Sequence, residues 1–311
     1  MEHSLKPSYK IAFVFPGQGS QETGMGLDLY QNYSLAKKIF QKADQLFNQS
    51  ISELCFYGDN EKLKNTNISQ VAIFTTSIAT FEVLSQYITP DIVAGHSVGE
   101  YSALVASGVL DFESCFELVK FRGELMYNVS KDRQGVMCAI LKFDETKLEE
   151  LCKKYNKGVV SIANYNTQDQ LVISGDKSAV EDIANTAKNM GARRIIPLRV
   201  GGAFHSLLMK DAAVILNDKI DKTKFNNANI PVVTNIDAEI TIKADEFKTK
   251  LQKQLISPVQ WYKTIKNMLH LGVDTFIEVG HGKVLTNIIR NIDRSVKVFN
   301  VSDKNSLENM L

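Results

Sequence analysis

The chain has 311 residues, of which 44% are hydrophobic, and its 36 basic side chains nearly balance its 35 acidic ones. This size and apolar content suffice for one large core, or for one large domain with a small one. A formal net charge of +1 gives no support for bulk nucleic-acid binding, and no apolar run approaches the roughly 20 residues that span a membrane.

The first 130 residues alternate short apolar runs with helical patterns. The run Ile11–Phe15 predicts a buried strand, and a second strand is predicted over 91–95. Helical patterns between them end with the stretch 69–84, and a further helix is predicted over 111–129, with Asp111 as its N-cap. Such alternation is typical of an α/β fold.

Residues 131–199 follow a different rhythm. The patterns predict the order strand, helix, strand, strand, helix, strand, over 135–143, 145–155, 158–163, 170–174, 177–190 and 194–198. This βαββαβ order is that of a ferredoxin-like unit. We therefore expect an inserted ferredoxin-like subdomain at 131–199.

The α/β rhythm returns after residue 200. We predict, in chain order, a helix at 206–219, a strand at 231–235, two helical stretches within 244–271, a strand at 275–280, a helix at 283–291 and a strand at 296–301. Strands alternating with helices indicate a mainly parallel sheet with helices on both faces. We assign 1–130 and 200–311 to one large α/β domain.

The cysteines and the N-terminal segment bear on the cellular compartment. Cys55, Cys115, Cys138 and Cys152 match no metal-binding or CxxC spacing, so we expect buried free thiols, as in a reducing cytoplasm. Residues 1–10 are polar and predict no signal peptide. A cytoplasmic protein without a metal site is expected.

A nucleophile elbow is predicted at Gly95-His96-Ser97-Val98-Gly99, a Gly-x-Ser-x-Gly turn between a predicted strand and a predicted helix. The glycines permit a close backbone approach, and the helix directs its free N–H groups at the place where an oxyanion would form. This arrangement predicts acyl chemistry at Ser97, whereas the alternative is a tight turn whose serine merely caps the helix.

A serine nucleophile needs a base, and two histidines lie in loops that follow predicted strands. His205 lies in the small-residue loop 201–206, and His281 lies in the loop 279–282. Site residues of open α/β sheets occupy such loops, so both histidines are candidates and we favour His205. No aspartate occupies an obvious triad position, so a backbone carbonyl or an amide could orient the base.

The other three histidines are weaker candidates for the base. His3 lies near the N-terminus, and His270 ends an amphipathic helix, where a cation favours the helix dipole. His96 is inside the elbow, so its side chain should diverge from that of Ser97.

Arg122 is an unusual residue on the apolar face of the helix predicted at 111–129. That face is formed by residues three and four apart, namely Cys115, Leu118, Val119, Leu125 and Met126. A guanidinium there must find an anion or extend to water. The anion is either a structural ion-pair partner or a substrate carboxylate bound through the guanidinium fork.

The glycine-flanked loop around Gln18 also follows a predicted strand. A loop of this kind can present backbone N–H groups to an anion, and its alternative is an ordinary turn. It lacks the Gly-Lys-Ser/Thr ending of a P-loop, so nucleotide binding is disfavoured.

Taken in order, these motifs resemble those of the malonyl-CoA:acyl carrier protein transacylase family over nearly the whole chain. The matching segments are Phe15-Pro16-Gly17-Gln18-Gly19-Ser20-Gln21, Gly95-His96-Ser97-Val98-Gly99-Glu100, Arg122 in Phe-Arg-Gly-Glu-Leu-Met, Asn164-Tyr165-Asn166, Gly202-Ala203-Phe204-His205-Ser206, Gln254-Leu255, Pro258-Val259-Gln260-Trp261 and Glu278-Val279-Gly280.

The resemblance implies a hydrolase-like α/β domain with a ferredoxin-like insertion. It implies that Ser97 attacks malonyl-CoA with His205 as base, and that the backbone carbonyl of Gln254 orients His205. It assigns the oxyanion hole to the backbone N–H groups of Gln18 and Val98.

The resemblance also implies which residues bind the substrate and which partners the protein has. Arg122 would grip the malonyl carboxylate, and Asn166 would lie near the site. The partners would be malonyl-CoA and holo acyl carrier protein, with no permanently bound cofactor, no metal, no nucleic acid and no membrane, and a monomer is expected.

The segment Gly202-Ala203-Phe204-His205 bears on the acyl group. In related polyketide synthase acyltransferases a His-Ala-Phe-His pattern accompanies malonyl specificity, and this chain keeps its last three residues. Fatty acid biosynthesis is the expected pathway. The alternatives are a free-standing polyketide acyltransferase, an acyl-thioester hydrolase of the same fold and a non-catalytic protein that docks on the carrier.

Overall fold

The computed structural model of the chain describes residues 9–47, 49–133 and 135–311. The strands of this part are β1 (Ile11–Phe15), β2 (Ile92–Gly95), β3 (Gly135–Leu141), β4 (Val160–Thr167), β5 (Gln170–Asp176), β6 (Arg194–Pro197), β7 (Val232–Val233), β8 (Ile240–Thr241), β9 (Thr275–Val279) and β10 (Lys297–Val301). They form one six-stranded and one four-stranded sheet.

The helices in the same part surround the two sheets. They are α1 (Leu27–Asn32), α2 (Ser34–Leu46), α3 (Ile51–Tyr57), α4 (Asn60–Leu63), α5 (Thr66–Leu84), α6 (Gly99–Ala106), α7 (Phe112–Asp132), α8 (Glu145–Lys154), α9 (Lys177–Asn189), α10 (Lys210–Lys222), α11 (Ala244–Gln254), α12 (Trp261–His270), α13 (Val284–Ile292) and α14 (Lys304–Met310). In the residues described, no helix combines the length and apolar character needed to cross a membrane.

The six-stranded sheet has the order β10-β9-β1-β2-β7-β8 and is parallel except for the β7–β8 pair. β1 and β2 are neighbours in register, and Phe15 faces Gly95 at their ends. Both strands therefore deliver their following loops to the same edge, which is where open α/β sheets hold their ligands.

Both faces of this sheet are buried, because helices cover each of them. Alternate residues of a strand point to opposite faces and so join two different cores. Phe13 and Phe15 pack with the helices of the larger core, which includes α2, α5 and α7. Ala12 and Val14 pack on the opposite face with Trp261 of α12 and with α13. The predicted mainly parallel sheet with helices on both faces is confirmed.

The four-stranded sheet is antiparallel and has the order β4-β5-β3-β6. One face carries α8 and α9 over a small core that includes Ile140 and Ile173. On the other face, Met137, Ala139 and Val172 join the larger core. Through this second face the antiparallel sheet lies next to the loops that follow strands of the six-stranded sheet.

Most predicted elements are present, with local differences. The helix predicted at 206–219 is a 3₁₀ turn at Leu207–Met209 followed by α10, because the Ser206 hydroxyl caps the turn by accepting the Leu208 N–H. The short strand β8 and the helix α14 were not predicted. Residues 1–8, which include His3, lie outside the described residues.

Candidate active site

Ser97 lies on a sharp turn between β2 and α6, as the elbow motif predicts. Its φ of 54° is in the left-handed region, which a non-glycine residue rarely adopts. A Cβ on Gly95 would lie 1.9 Å from the Gly99 carbonyl oxygen, and one on Gly99 would lie 2.2 Å from that of Phe15. Only glycine fits either position, so the two glycines are what allow this turn.

The hydroxyl of Ser97 faces the imidazole of His205. Ser97 Oγ and His205 Nε2 lie 2.8 Å apart, and His205 also has a left-handed φ, of 56°. Burial lowers the pKa of His205 to about 3, and the nearby Arg122 guanidinium adds to the shift. The imidazole is therefore neutral near pH 7 and can accept the serine proton.

The other ring nitrogen of His205 faces backbone carbonyls. Nδ1 lies 3.0 Å from the Gln254 oxygen and 3.1 Å from the Ser257 oxygen. Because both neighbours are acceptors, Nδ1 carries the proton and Nε2 presents its lone pair to the serine. Nothing in the sequence signals the Ser257 contact, because every residue has a carbonyl.

The structure places the competing histidines elsewhere. His281 Nε2 lies 3.6 Å from a carboxylate oxygen of Glu22. His96 points away from Ser97: its Nε2 lies 3.0 Å from the Asn166 side-chain oxygen, and its ring meets Trp261 edge to face. Of the histidines in the described residues, His205 alone contacts the Ser97 hydroxyl.

Arg122 lies beside the same hydroxyl with only 1% of its surface exposed. Nη1 donates to the Gln70 side chain at 2.5 Å, and Nη2 donates to Ser97 Oγ and to the Gln254 side chain, both at 3.2 Å. These partners are uncharged, so within the described residues Arg122 forms no direct ion pair. Gln70, a buried amide within the long apolar helix α5, was not predicted as a site residue.

The guanidinium is held from its remaining side by an aromatic ring. It lies 5.6 Å from the ring centroid of Tyr101, in a cation–π contact. Nε of Arg122 has no hydrogen-bond partner within the described part of the chain. In the described residues no carboxylate contacts the guanidinium directly, and Glu100 reaches it only through Gln254. A buried cation without an anion in direct contact favours binding of one.

Two loops bring backbone N–H groups to the serine. The loop after β1 contains Gln18, and it packs closely on the elbow, because a Cβ on Gly17 would lie 2.5 Å from the His96 carbonyl oxygen. Gln18 and Val98 both line the cavity around Ser97, and neither N–H donates to another described residue. This geometry suits an oxyanion hole.

The cavity has a wall from the antiparallel sheet. That wall consists of apolar side chains and two amides, namely Met137, Val172, Leu198, Asn164 and Asn166. Asn166 lies across the cavity, where its side-chain oxygen meets His96. The predicted position of Asn166 near the site agrees with this geometry.

The side chain of Gln254 joins Arg122 to a second buried group, Glu100. Its Nε2 donates to a Glu100 carboxylate oxygen at 2.6 Å and to the Ser97 carbonyl at 3.0 Å. Burial raises the pKa of Glu100 to about 7, and the hydrogen bond from Gln254 opposes the rise. Gln254 was predicted only for its backbone carbonyl, and Glu100 was not predicted as a site residue.

These groups together suit the transfer of a short acyl group that ends in an anion. Ser97 presents its hydroxyl to a neutral imidazole, the two N–H groups can hold an oxyanion, and the Arg122 cation lies one hydrogen bond from the same hydroxyl.

Comparisons with known proteins agree with this chemistry. The acyl transferase domain model matches residues 12–309. The chain is 43% identical over 302 residues to the malonyl CoA-acyl carrier protein transacylase of Bacillus subtilis, covering 96% of this chain and 95% of that one.

Solved structures resemble the chain over nearly its whole length. An acyl carrier protein S-malonyltransferase from Vibrio cholerae superposes with a TM-score of 0.94 at 37% identity, covering 97% of this chain and all of that one. A malonyl-transacylase in complex with a type II polyketide synthase acyl-carrier protein gives a TM-score of 0.94 at 35% identity, covering 97% and 99%.

Proposed function

This chain belongs to the acyl transferase domain family, and we propose that it transfers a malonyl group from malonyl-CoA to the phosphopantetheine thiol of holo acyl carrier protein, in fatty acid biosynthesis. One observation carries the proposal: Ser97 Oγ lies 2.8 Å from His205 Nε2 and 3.2 Å from Arg122 Nη2. Nucleophile, base and carboxylate-binding cation thus converge on one oxygen atom.

The first half-reaction forms a malonyl-serine ester. Ser97 Oγ attacks the thioester carbon while His205 Nε2 takes the hydroxyl proton. The N–H groups of Gln18 and Val98 stabilise the oxyanion. When the intermediate collapses, the carbon–sulfur bond breaks, and His205 returns its proton to the departing CoA thiolate.

The second half-reaction runs the same chemistry with the carrier thiol. His205 removes the proton of the phosphopantetheine thiol, and the sulfur attacks the ester carbon. The bond to Ser97 Oγ breaks, and the proton returns from His205 to Ser97. Each half-reaction exchanges one acyl acceptor for the other, so the kinetics are ping-pong.

Two backbone carbonyls keep His205 suited to both steps. The carbonyls of Gln254 and Ser257 hold the tautomer that presents a lone pair to Ser97. They carry no full charge, so His205 works here as half of a Ser–His dyad without an acidic third residue.

Arg122 selects the acyl group in this proposal. A malonyl group on Ser97 carries its carboxylate to the buried guanidinium, which binds it through charge-assisted hydrogen bonds. An acetyl group would leave that cation without a counter-ion in an apolar site, which costs on the order of 1–3 kcal/mol.

We extend the proposal to the setting of the enzyme. The thioester is already an activated bond and the dyad supplies the base, so we assign no bound metal or organic cofactor. We also propose a cytoplasmic monomer with a large domain at 1–130 and 200–311 and a subdomain at 131–199, a division that the two separate sheets support.

A competition between thiol and water tests the transfer. The protein is loaded with labelled malonyl-CoA, and the label is followed onto holo acyl carrier protein and into free malonate. The proposal predicts that malonyl reaches the carrier much faster than water at saturating carrier. Release of malonate as the main product would instead identify a hydrolase.

The choice of carrier distinguishes the two transfer pathways. The same assay is run with a fatty-acid carrier protein and with a polyketide carrier protein, each with and without phosphopantetheine. We expect faster transfer to the holo fatty-acid carrier and none to either apo form. Faster transfer to the polyketide carrier would assign the enzyme to that pathway.

A further inference from the structure

Glu100 lies buried on the first turn of α6, three residues after Ser97, and the proposed mechanism leaves it without a task. It is 3% exposed and touches neither the Ser97 hydroxyl nor the His205 ring. A carboxylate so far from water must have a partner for each oxygen. The Glu100 carboxyl group has two partners, Asn235 and Gln254, and each of them also hydrogen-bonds the backbone of Ser97.

The first partner is Asn235, which follows β7. The backbone N–H of Asn235 donates to Glu100 Oε1 at 3.3 Å. Its side-chain oxygen accepts the Ser97 N–H at 2.8 Å, and its side-chain nitrogen donates to the Gly95 carbonyl at 2.6 Å. Asn235 therefore holds the N-terminal side of the turn.

The second partner is Gln254, at the end of α11. Its side-chain nitrogen donates to Glu100 Oε2 at 2.6 Å and to the Ser97 carbonyl at 3.0 Å. Its side-chain oxygen accepts from Arg122 at 3.2 Å. Three contacts together fix which way this amide points, because the flipped amide would set its oxygen against the Glu100 and Ser97 acceptors and its nitrogen against the Arg122 donor.

We infer that Glu100 is a positioning residue that clamps the strained backbone of Ser97 from both sides. The left-handed conformation of Ser97 persists only because its surroundings hold it. Asn235 binds the Ser97 N–H, Gln254 binds the Ser97 carbonyl, and the two oxygens of one carboxylate anchor both. The inference rests on the proposed use of Ser97 as nucleophile and adds a second effect, the orientation of Arg122 through Gln254.

Glu100→Gln tests the clamp with little change of volume. The new amide has one oxygen and one nitrogen, so one of its two partners meets a donor instead of an acceptor. Glu278→Gln is the matched control, because Glu278 is equally buried and accepts the backbone N–H groups of Leu285 and Thr286 at 3.0 and 2.8 Å. It contacts none of the clamp residues through its carboxylate.

The readout is the rate at which a fluorophosphonate modifies Ser97, followed by intact mass. This rate needs neither malonyl-CoA nor carrier, so a failure of the proposed transfer leaves the test intact. We expect Glu100→Gln to slow modification by about 10-fold to 100-fold, because small displacements of a reacting atom are costly. Glu278→Gln should stay within about twofold of the unchanged protein, because its carboxylate bonds the start of α13 and none of Ser97, Asn235 and Gln254.

Asn235→Ala provides a second test that leaves the carboxyl group in place. Asn235→Ala as a single substitution should slow the modification of Ser97. The double variant with Glu100→Gln should be no more than about threefold slower than the slower single variant, because the two residues act as one unit. Modification of folded Glu100→Gln at the unchanged rate would overturn the inference. If that variant does not fold, an unchanged rate in Asn235→Ala would do so.

Discussion

The cavity around Ser97 is bounded by two regions of different character. One side carries the reacting groups: the hydroxyl of Ser97, which follows β2, is hydrogen-bonded both to His205 and to Arg122 of α7. The antiparallel sheet supplies an apolar wall with two amides, one of which is Asn166. We therefore expect the chemistry to occur on one side of the cavity, while the other side encloses and orients the substrate.

Substitutions in the two regions should have different kinetic effects. Changes in the reacting region should lower kcat for every acyl group, or change which acyl group is used. Changes in the wall should act mainly on KM, because the wall contacts the substrate without reacting with it.

His205→Ala should have the largest effect among the predictions. Loss of the general base removes proton transfer in both half-reactions, so malonyl transfer should fall about 10²-fold to 10⁴-fold. The measurement is single-turnover formation of the malonyl-enzyme, with circular dichroism to establish that the variant folds. A rate within a few-fold of the unchanged protein would give the role of base to another group.

Arg122→Ala should come next, with an effect that depends on the acyl group. We expect kcat/KM for malonyl-CoA to fall by about 5-fold to 150-fold, because a charge-assisted contact with the carboxylate is lost. Acetyl transfer should hold or rise.

Arg122→Met separates charge from volume in the same assay. It fills the site without a charge, so it should show the same change of preference as the alanine variant. Equal loss of malonyl and acetyl transfer in both variants would indicate that Arg122 serves the structure alone.

The coupling of Arg122 to His205 predicts a pKa change. Burial and the guanidinium lower the pKa of His205 to about 3, so its imidazole should stay neutral in NMR titrations from pH 8 down to about pH 5. A cation disfavours the protonated ring, so Arg122→Met should raise this pKa while burial keeps it below the usual value.

The His205 resonance is assigned by its absence in His205→Ala. A titration midpoint near the ordinary histidine pKa of about 6.5 in the unchanged protein would contradict the neutral, buried base.

Asn166→Ala should have the smallest effect and belongs to the wall. We expect KM for malonyl-CoA to rise a few-fold, because about one hydrogen bond is lost, and kcat to change little. Ser161→Ala, on the same strand but away from the cavity lining, is the control. A loss of kcat comparable to that of His205→Ala would remove the distinction between the two regions.

The sequence predicts the elbow because local chemistry defines it: the glycines around Ser97 have no substitute at their close contacts. The loop that holds His205 follows β6 of the antiparallel sheet, whereas His281 follows β9 of the six-stranded sheet, so loop position alone did not single out His205. Arg122 was identifiable because a charge interrupts an apolar helix face. Each signal lies within a few residues of the group that it predicts.

The supporting contacts could not be predicted in the same way. Asn235 and Gln254 reach Ser97 from 138 and 157 residues away in the chain, and only the packing of separate elements brings them together. Glu100 gave a weak signal, an acid on an otherwise apolar helix turn. The strand β8 escaped prediction because two residues are too few for a pattern.

Detection of a malonyl group on Ser97 tests the proposed mechanism most directly. The protein is incubated with malonyl-CoA without carrier, and intact mass and peptide mapping locate the adduct, with Ser97→Ala as control. The proposed mechanism predicts one malonyl group on Ser97, none on the variant, and its loss on addition of holo acyl carrier protein. A folded protein that forms no adduct, or forms it on another residue, would rule the mechanism out.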